Sequence, residues 1–299
     1  MLLGGGHAHL HVLRALAAAP VPHARVTLVS PLPGLVYTGM VPGLIGGHYR
    51  SDDCTIALAP LADRAGAEFI EAAATAIDAD ARSVTIARSD GSIAALDYDI
   101  LSIDVGGMTA AASIPGAGRH ALLVRPLDRF VETLEQRLAT PGRAPSDVVV
   151  VGGGAGGFEL ALALRFRLSG AARIHLIAGD SALLAAHPAG VRRRARRALR
   201  RREVVVHEDR CIEIGACDIA LASGSRVACD LAIVATGSAA PQWLRGSGLA
   251  LDPDGCIATG ATLQSLSHET VFAAGDVATR VDAPRPHSGV HAVRAGPPL

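Results

Sequence analysis

Asp147-Val148-Val149-Val150-Val151-Gly152-Gly153-Gly154-Ala155-Gly156-Gly157-Phe158-Glu159-Leu160 is the stretch that decides how this chain folds. Four consecutive valines are β-branched and apolar toward both faces, the composition of a strand buried on both sides. Glycines at 152, 154 and 157 follow, and residues 158–168 then carry helical apolar spacing. Strand, tight glycine turn and helix together make a place where backbone N–H groups and the positive end of a helix can meet a phosphate. Glycine supplies both the turn and the close approach that a dinucleotide pyrophosphate needs. Residues 173–178 read as the next strand, so the stretch opens a βαβ unit.

The same event occurs at the start of the chain. Met1-Leu2-Leu3 runs into Gly4-Gly5-Gly6-His7-Ala8-His9, then into a helix-like stretch at 10–19 and a strand at 25–30. Gly4 and Gly6 fit the turn, but His9 stands at the third glycine position, and three residues make a short strand. Residues 83–88 and 98–105 read as strands and 140–146 as a loop. Residues 191–203 form an arginine-dense helix. Further strands are expected at 204–207, at 218–222, at 230–235 running into Thr236-Gly237, and at 270–274 running into Gly275-Asp276. The alternation predicts an α/β chain with mostly parallel sheets.

Composition narrows the chemistry. The 299 residues suffice for two domains, and 49% of them are hydrophobic. Formal net charge is zero, which gives no overall pull toward nucleic acid or an anionic surface. All 28 basic residues are arginine, so a lysine Schiff base and a P-loop lysine are both excluded. Cys54, Cys211, Cys217, Cys229 and Cys256 form no C-x-x-C pair and no zinc spacing, and they read as ordinary thiols. His7, His9 and His11 follow a phosphate turn into a helix rather than a ligand pattern, so no metal site is expected. The arginines between 192 and 202 lack interleaved aromatics and read as a solvated helix face. The start shows no basic segment before an apolar one, and no apolar run reaches the ~18 residues of a membrane span. The expected location is cytoplasmic.

Neither βαβ unit ends its second strand with the carboxylate that usually holds a ribose. The first ends at Ser30-Pro31, and Ser30 can still bond a ribose hydroxyl. The second ends at Ala178-Gly179, with Asp180 two positions on. NADH and NADPH are therefore both left open.

Two glycine turns, Ala235-Thr236-Gly237 and the late Gly275-Asp276 form an ordered set that resembles the pyridine nucleotide-disulfide oxidoreductase superfamily. Within it the chain looks most like type II NADH dehydrogenase-like flavoproteins, including the flavin domain fused to selenide, water dikinase. Tyr37-Thr38-Gly39-Met40-Val41-Pro42-Gly43, Ser102-Ile103-Asp104-Val105-Gly106, Pro126-Leu127-Asp128-Arg129 and the closing Gly296-Pro297-Pro298-Leu299 extend the likeness along nearly the whole chain. The resemblance implies two Rossmann-like dinucleotide-binding domains, an FAD domain made of 1–110 and 238–299 with an NAD(P)H domain of 111–237 inserted in it. For FAD it implies Gly4, Gly6, His7 and Ala8 at the pyrophosphate, with Ser30 at a ribose and Ala74 facing the adenine. It further implies Thr38 and Met40 near the isoalloxazine, with Gly106, Gly275 and Asp276 completing the site. For NAD(P)H it implies Gly152, Gly154, Gly157 and Gly237, with Glu159 as an orienting residue near the nicotinamide.

The activity implied is that of an FAD-dependent NAD(P)H oxidoreductase, in which hydride passes from nicotinamide to flavin and electrons go on to a quinone-like or other small-molecule acceptor. The flavin carries the chemistry and the protein supplies position. The alternative is a catalytically weak nucleotide-binding accessory module for a partner such as selenide, water dikinase. A homodimer and a membrane-peripheral location are further expectations from the family. Relatives continue past the position of Leu299, and His287, His291 and Ala295 stand where Lys, an aromatic and Gln are expected. The resemblance thus implies a shortened or drifted member.

Overall fold

The valines of 147–151 do form a strand, Asp147–Val151, in which every residue is buried. A strand with apolar residues on both faces must be covered on both, and a central place in a parallel sheet achieves this. The computed structural model, which describes residues 1–111, 114–139, 144–285, 289–297 and 299, divides into two compact units. One comprises residues 1–38, 55–108 and 238–299, and the other 39–54 and 109–237.

In the second unit the five-stranded sheet runs Ala121–Leu123, Leu231–Val234, Asp147–Val151, Arg173–Ile177, Val204–His207. Every pairing is parallel, with Val149 opposite both Ala232 and His175. The helix Ala155–Arg167 returns the chain from the central strand to its neighbour and buries Leu160, Ala161 and Leu164. On the opposite sheet face Val149, Val151 and Ile177 pack against Ile214 and Ile219 from a three-stranded antiparallel sheet. Residues 39–54 join this unit. Arg167 makes a bidentate pair with Glu135 and donates to the carbonyl of Ile45 at 3.3 Å, and the His48 ring lies tilted against Phe166 with centroids 4.6 Å apart.

The first unit is built likewise. Its sheet runs Val271–Ala273, Leu101–Ile103, Leu2–Leu3, Val26–Ser30, Ala67–Glu71, with all pairings parallel. Only Leu2 and Leu3 form the central strand, yet they serve both faces. Leu2 packs beneath the helix His7–Ala18 with Leu13 and Leu28, while Leu3 faces Val29, Ile103 and Val271 on the other side. An antiparallel sheet of Ala73–Asp78, Ser83–Ala87 and Ile93–Asp97 adds to the second of these cores.

The sequence placed a strand at 98–105, and the structure keeps only Leu101–Ile103. Asp99 and Ile100 bend before it, and Asp104 beyond it keeps its N–H on the carbonyl of Leu3 while its side chain turns to the helix His7–Ala18. The loop expected at 140–146 and His287 fall wholly or partly outside the described residues. Among the described residues no helix is long and apolar enough to cross a membrane.

The second turn allows a direct test of its packing. A Cβ on Gly157 would sit 1.9 Å from the carbonyl oxygen of Gly152. Elsewhere in a helix glycine-to-alanine is favourable by about 1 kcal/mol. Here Gly157→Ala should instead destabilise by about 2–3 kcal/mol, the usual cost of overpacking. A fall in the urea midpoint at unchanged slope is the expected reading.

Candidate functional site

In the second unit the backbone of the glycine turn is pressed against its surroundings. Gly152 has φ +143, and a Cβ there would lie 2.4 Å from the carbonyl oxygen of Ala235. A Cβ on Gly153 would meet the carbonyl of Ala178 at 2.3 Å. Gly154 is the contrary case. It caps the helix Ala155–Arg167 in an extended conformation, and nothing lies within 4 Å of where its Cβ would be. Among the described residues no side chain accepts from the first N–H groups of that helix, and its first turn carries no acid. Open space beside unpaired donors at a helix N-terminus is the cradle an anionic ligand needs.

Glu159 lies one turn along the same helix with its residue exposed, and partial desolvation of the carboxyl raises its pKa from the ordinary glutamate value. Gly237, beyond the strand Leu231–Val234, also has open space at its Cβ position. Asp180, the nearest carboxylate after Ala178, is paired with Arg210 at 3.0 Å.

The turn in the first unit is equally tight but differently occupied. Gly4 has φ +96, and its Cβ would stand 2.3 Å from the carbonyl oxygen of Asp104. A Cβ on Gly6 would fall 2.2 Å from the Asp104 carboxylate. That carboxylate accepts the backbone N–H of Ala8 at 2.8 Å and of His9 at 3.2 Å. It is 2% exposed, and burial pushes it up to about 6 despite the two N–H bonds.

His9 fills the third glycine position with its side chain. The ring is fully buried; Nδ1 lies 2.6 Å from the carbonyl of Gly4 and Nε2 lies 2.8 Å from the hydroxyl of Ser102. A carbonyl can only accept, so Nδ1 carries the proton and Ser102 donates to Nε2. Burial pulls this imidazole down to about 4, so it is neutral at physiological pH. His7 is held below its usual pKa by burial, with Asp104 and Asp276 acting in opposition, and its Nε2 is buried without a partner among the described residues. Its ring leans on Tyr37 at 5.6 Å. From the far end of the sequence, Gly275 brings its backbone to Asp104, with a Cβ position 2.7 Å from the carboxylate oxygen, and Asp276 is buried beside it.

The structure therefore brings Gly4, Gly6, His7, Ala8, Gly275 and Asp276 to one place. Gly106, at φ +67 with open space around it, follows two residues after Asp104. Of the other expected residues, Ser30 adjoins the turn, directly after Val29, whose carbonyl accepts the N–H of Gly4 at 2.7 Å. Ser30 is buried, donating to the carbonyl of Leu32 and accepting its N–H. Ala74 belongs to the antiparallel sheet, opposite Ile86. Thr38 is exposed at the end of a segment of the first unit, and Met40 belongs to the second. Sequence reasoning gave Asp104 no role. The available signal was an aspartate directly after the buried strand Leu101–Ile103, a position where an unpaired charge is costly.

A family model described as pyridine nucleotide-disulphide oxidoreductase matches residues 1–296. Demethylphylloquinone reductase NdbB of Synechocystis sp. is 30% identical over 225 residues, covering 73% of this chain and 55% of that protein. Sulfide-quinone reductase of Aquifex aeolicus is 30% identical over 173 residues, covering 55% and 37% respectively. The chain thus spans about half the length of the first relative and just over a third of the second. Among solved structures, the water-forming NADH oxidase of Lactobacillus brevis bound to NADH superposes with a TM-score of 0.83 at 21% identity, over 99% of this chain and 67% of that one. NDH2 of Plasmodium falciparum in complex with NADH gives 0.82 at 18% identity, over 93% and 64%. These likenesses show the fold.

Asp104 makes the first turn sensitive to pH. Its folded pKa of about 6 exceeds the ~3.9 of an unfolded aspartate, so its ionisation opposes folding as pH rises. Asp104→Asn keeps an acceptor for Ala8 and His9 and carries no charge. The stability of this variant relative to wild type should grow by about 2 kcal/mol between pH 4 and pH 7, measured by denaturant unfolding. An unchanging difference would mean that the carboxyl titrates at its ordinary value.

Proposed function

Since this chain belongs to the pyridine nucleotide-disulphide oxidoreductase family, we propose that it is an FAD-dependent NAD(P)H oxidoreductase, with FAD in the first unit and NAD(P)H in the second. The observation that carries this reading is the duplicated strand, glycine turn and helix, in which backbone occupies the space of a Cβ at Gly4 and again at Gly152. The residues fit the two groups. In the second unit, Gly154 and the first N–H groups of the helix Ala155–Arg167 would receive the NAD(P)H pyrophosphate, and Glu159 would orient the nicotinamide end. In the first, the Asp276 carboxylate would accept hydroxyls of the FAD ribitol, and the unpartnered Nε2 of His7 would face the phosphates.

When bound, FAD supplies a two-electron carrier that takes hydride from NAD(P)H and delivers electrons to an acceptor. The protein's contribution is position and electrostatics. No lysine is required, in keeping with a sequence that has none. The names of the two curated relatives support a quinone-like acceptor. A cytoplasmic or membrane-peripheral location accords with that class of acceptor.

One observation favours a second reading, the accessory nucleotide-binding module serving a partner such as selenide, water dikinase. Asp104 already engages donors of the first turn, which weakens that turn as a phosphate site. Robust NADH-driven reduction of a dye by the isolated chain would exclude it.

The purified protein should be yellow, with flavin absorbance that bleaches on addition of NADH or NADPH. Colourless protein that takes up no FAD on reconstitution would overturn the proposal. Within the second unit, Gly154→Asp places a carboxylate at the helix N-terminus from a Cβ position with nothing within 4 Å. It should raise KM for the nicotinamide cofactor about tenfold or more while the flavin content stays unchanged.

A further inference from the structure

We propose that Asp104 is a resident counterpart of the flavin-nucleotide pyrophosphate: its carboxylate occupies two donors of the first glycine turn and must be neutralised when a dinucleotide docks, so that uptake of the nucleotide takes up one proton. This inference rests on the assignment of FAD to the first unit.

A helix N-terminus offers a small set of unpaired N–H groups, and these are what a phosphate uses. In the helix His7–Ala18 the N–H groups of Ala8 and His9 already point at one oxygen of Asp104. The carboxylate is not a mobile surface cap. Gly6 and Gly275 wall it in, with Cβ positions 2.2 and 2.7 Å from its atoms, and the backbone of Asp104 is fixed to the sheet by its own N–H on the carbonyl of Leu3. It has no arginine partner among the described residues. An arriving pyrophosphate therefore meets a fixed negative charge at the donors it would use.

Two like charges sharing one set of donors raise the proton affinity of the one that can titrate. Burial already holds the Asp104 carboxyl at about 6 before any ligand arrives. The balance is simple. The carboxylate gains one proton from solvent, its carbonyl oxygen goes on accepting from Ala8 and His9, and its new O–H can donate toward a phosphate oxygen. Other titratable groups lie on the elements packed around this point, of which His7 and Asp276 act on the carboxyl electrostatically. His7 and His9 stand on the helix, Asp276 on the turn Gly275–Val277, and His291 on the helix Gly289–Ala295 packed against that turn; the N-terminal amine opens the adjacent strand. His9 is already neutral over the relevant range. His7 could bind a phosphate as a cation below its own lowered pKa, so its contribution must be separated.

The test is the dissociation constant of FAD from wild type, Asp104→Asn and His7→Gln between pH 5.5 and 8.5, read by flavin fluorescence. Calorimetry of wild type in two buffers of different ionisation enthalpy counts protons directly. Wild type and His7→Gln should each weaken by up to tenfold per pH unit above about pH 7. Asp104→Asn should bind more tightly than wild type at pH 8 and lose that slope. Wild type should take up between half a proton and one proton per FAD at pH 7.5. An Asn variant with the wild-type slope, or zero proton uptake by wild type, overturns the inference while leaving FAD binding intact. Failure of all three proteins to bind FAD at any pH is a different pattern, and it overturns the cofactor assignment together with the inference.

Discussion

The first unit depends on how near the turn at residues 4–6 comes to the end of the strand Leu101–Ile103. Backbone and carboxylate of Asp104 fill the space that side chains on Gly4 and Gly6 would need. That contact fixes the direction in which the helix His7–Ala18 departs, and with it the face that Leu2, Leu13 and Leu28 bury. It also fixes the height of Gly275, which meets the same carboxylate from the far end of the chain. Two residues of strand suffice at the centre of the sheet because both neighbouring strands and the turn hold them in register.

The two turns solve one steric problem with opposite electrostatics. In the second, carbonyls of Ala235 and Ala178 press on the glycines from behind and leave the helix donors open. In the first, a side chain from the neighbouring strand has entered the front and taken two donors. A neutral wall leaves a site ready for any phosphate, whereas a charged one makes occupancy depend on solution conditions.

Much of this was legible in the sequence. Asp147–Val151 announced itself by four valines, and Gly152 to Gly157 by their spacing, because strand, turn and helix are local. The duplicated opening was also readable, from order along the chain, and the pairing of the early turn with Gly275-Asp276 followed from the family resemblance. What was hidden is non-local. Asp104 acts on Ala8 and His9 across more than 90 positions, and its sequence neighbours are apolar strand residues that give no hint of a polar target. Residues 39–54 read as part of the first unit, but the contacts of Arg167 with Ile45 and of His48 with Phe166 group them with the second. Ser30 read as a free hydroxyl, and its local turn with Leu32 could be seen only once the strand end was placed.

His9 shows how such a turn becomes historically fixed. In the second turn the third position, Gly157, leaves no room for a Cβ. In the first turn a residue with a side chain stands there, and its imidazole satisfies the Gly4 carbonyl and the Ser102 hydroxyl at once. Replacement by glycine would remove the partner of both groups inside the core, and a change at Ser102 alone would orphan the ring. The turn, the helix and the neighbouring strand must therefore drift together or not at all. The position is entrenched, and a search for the three-glycine signature would pass over a turn built around it.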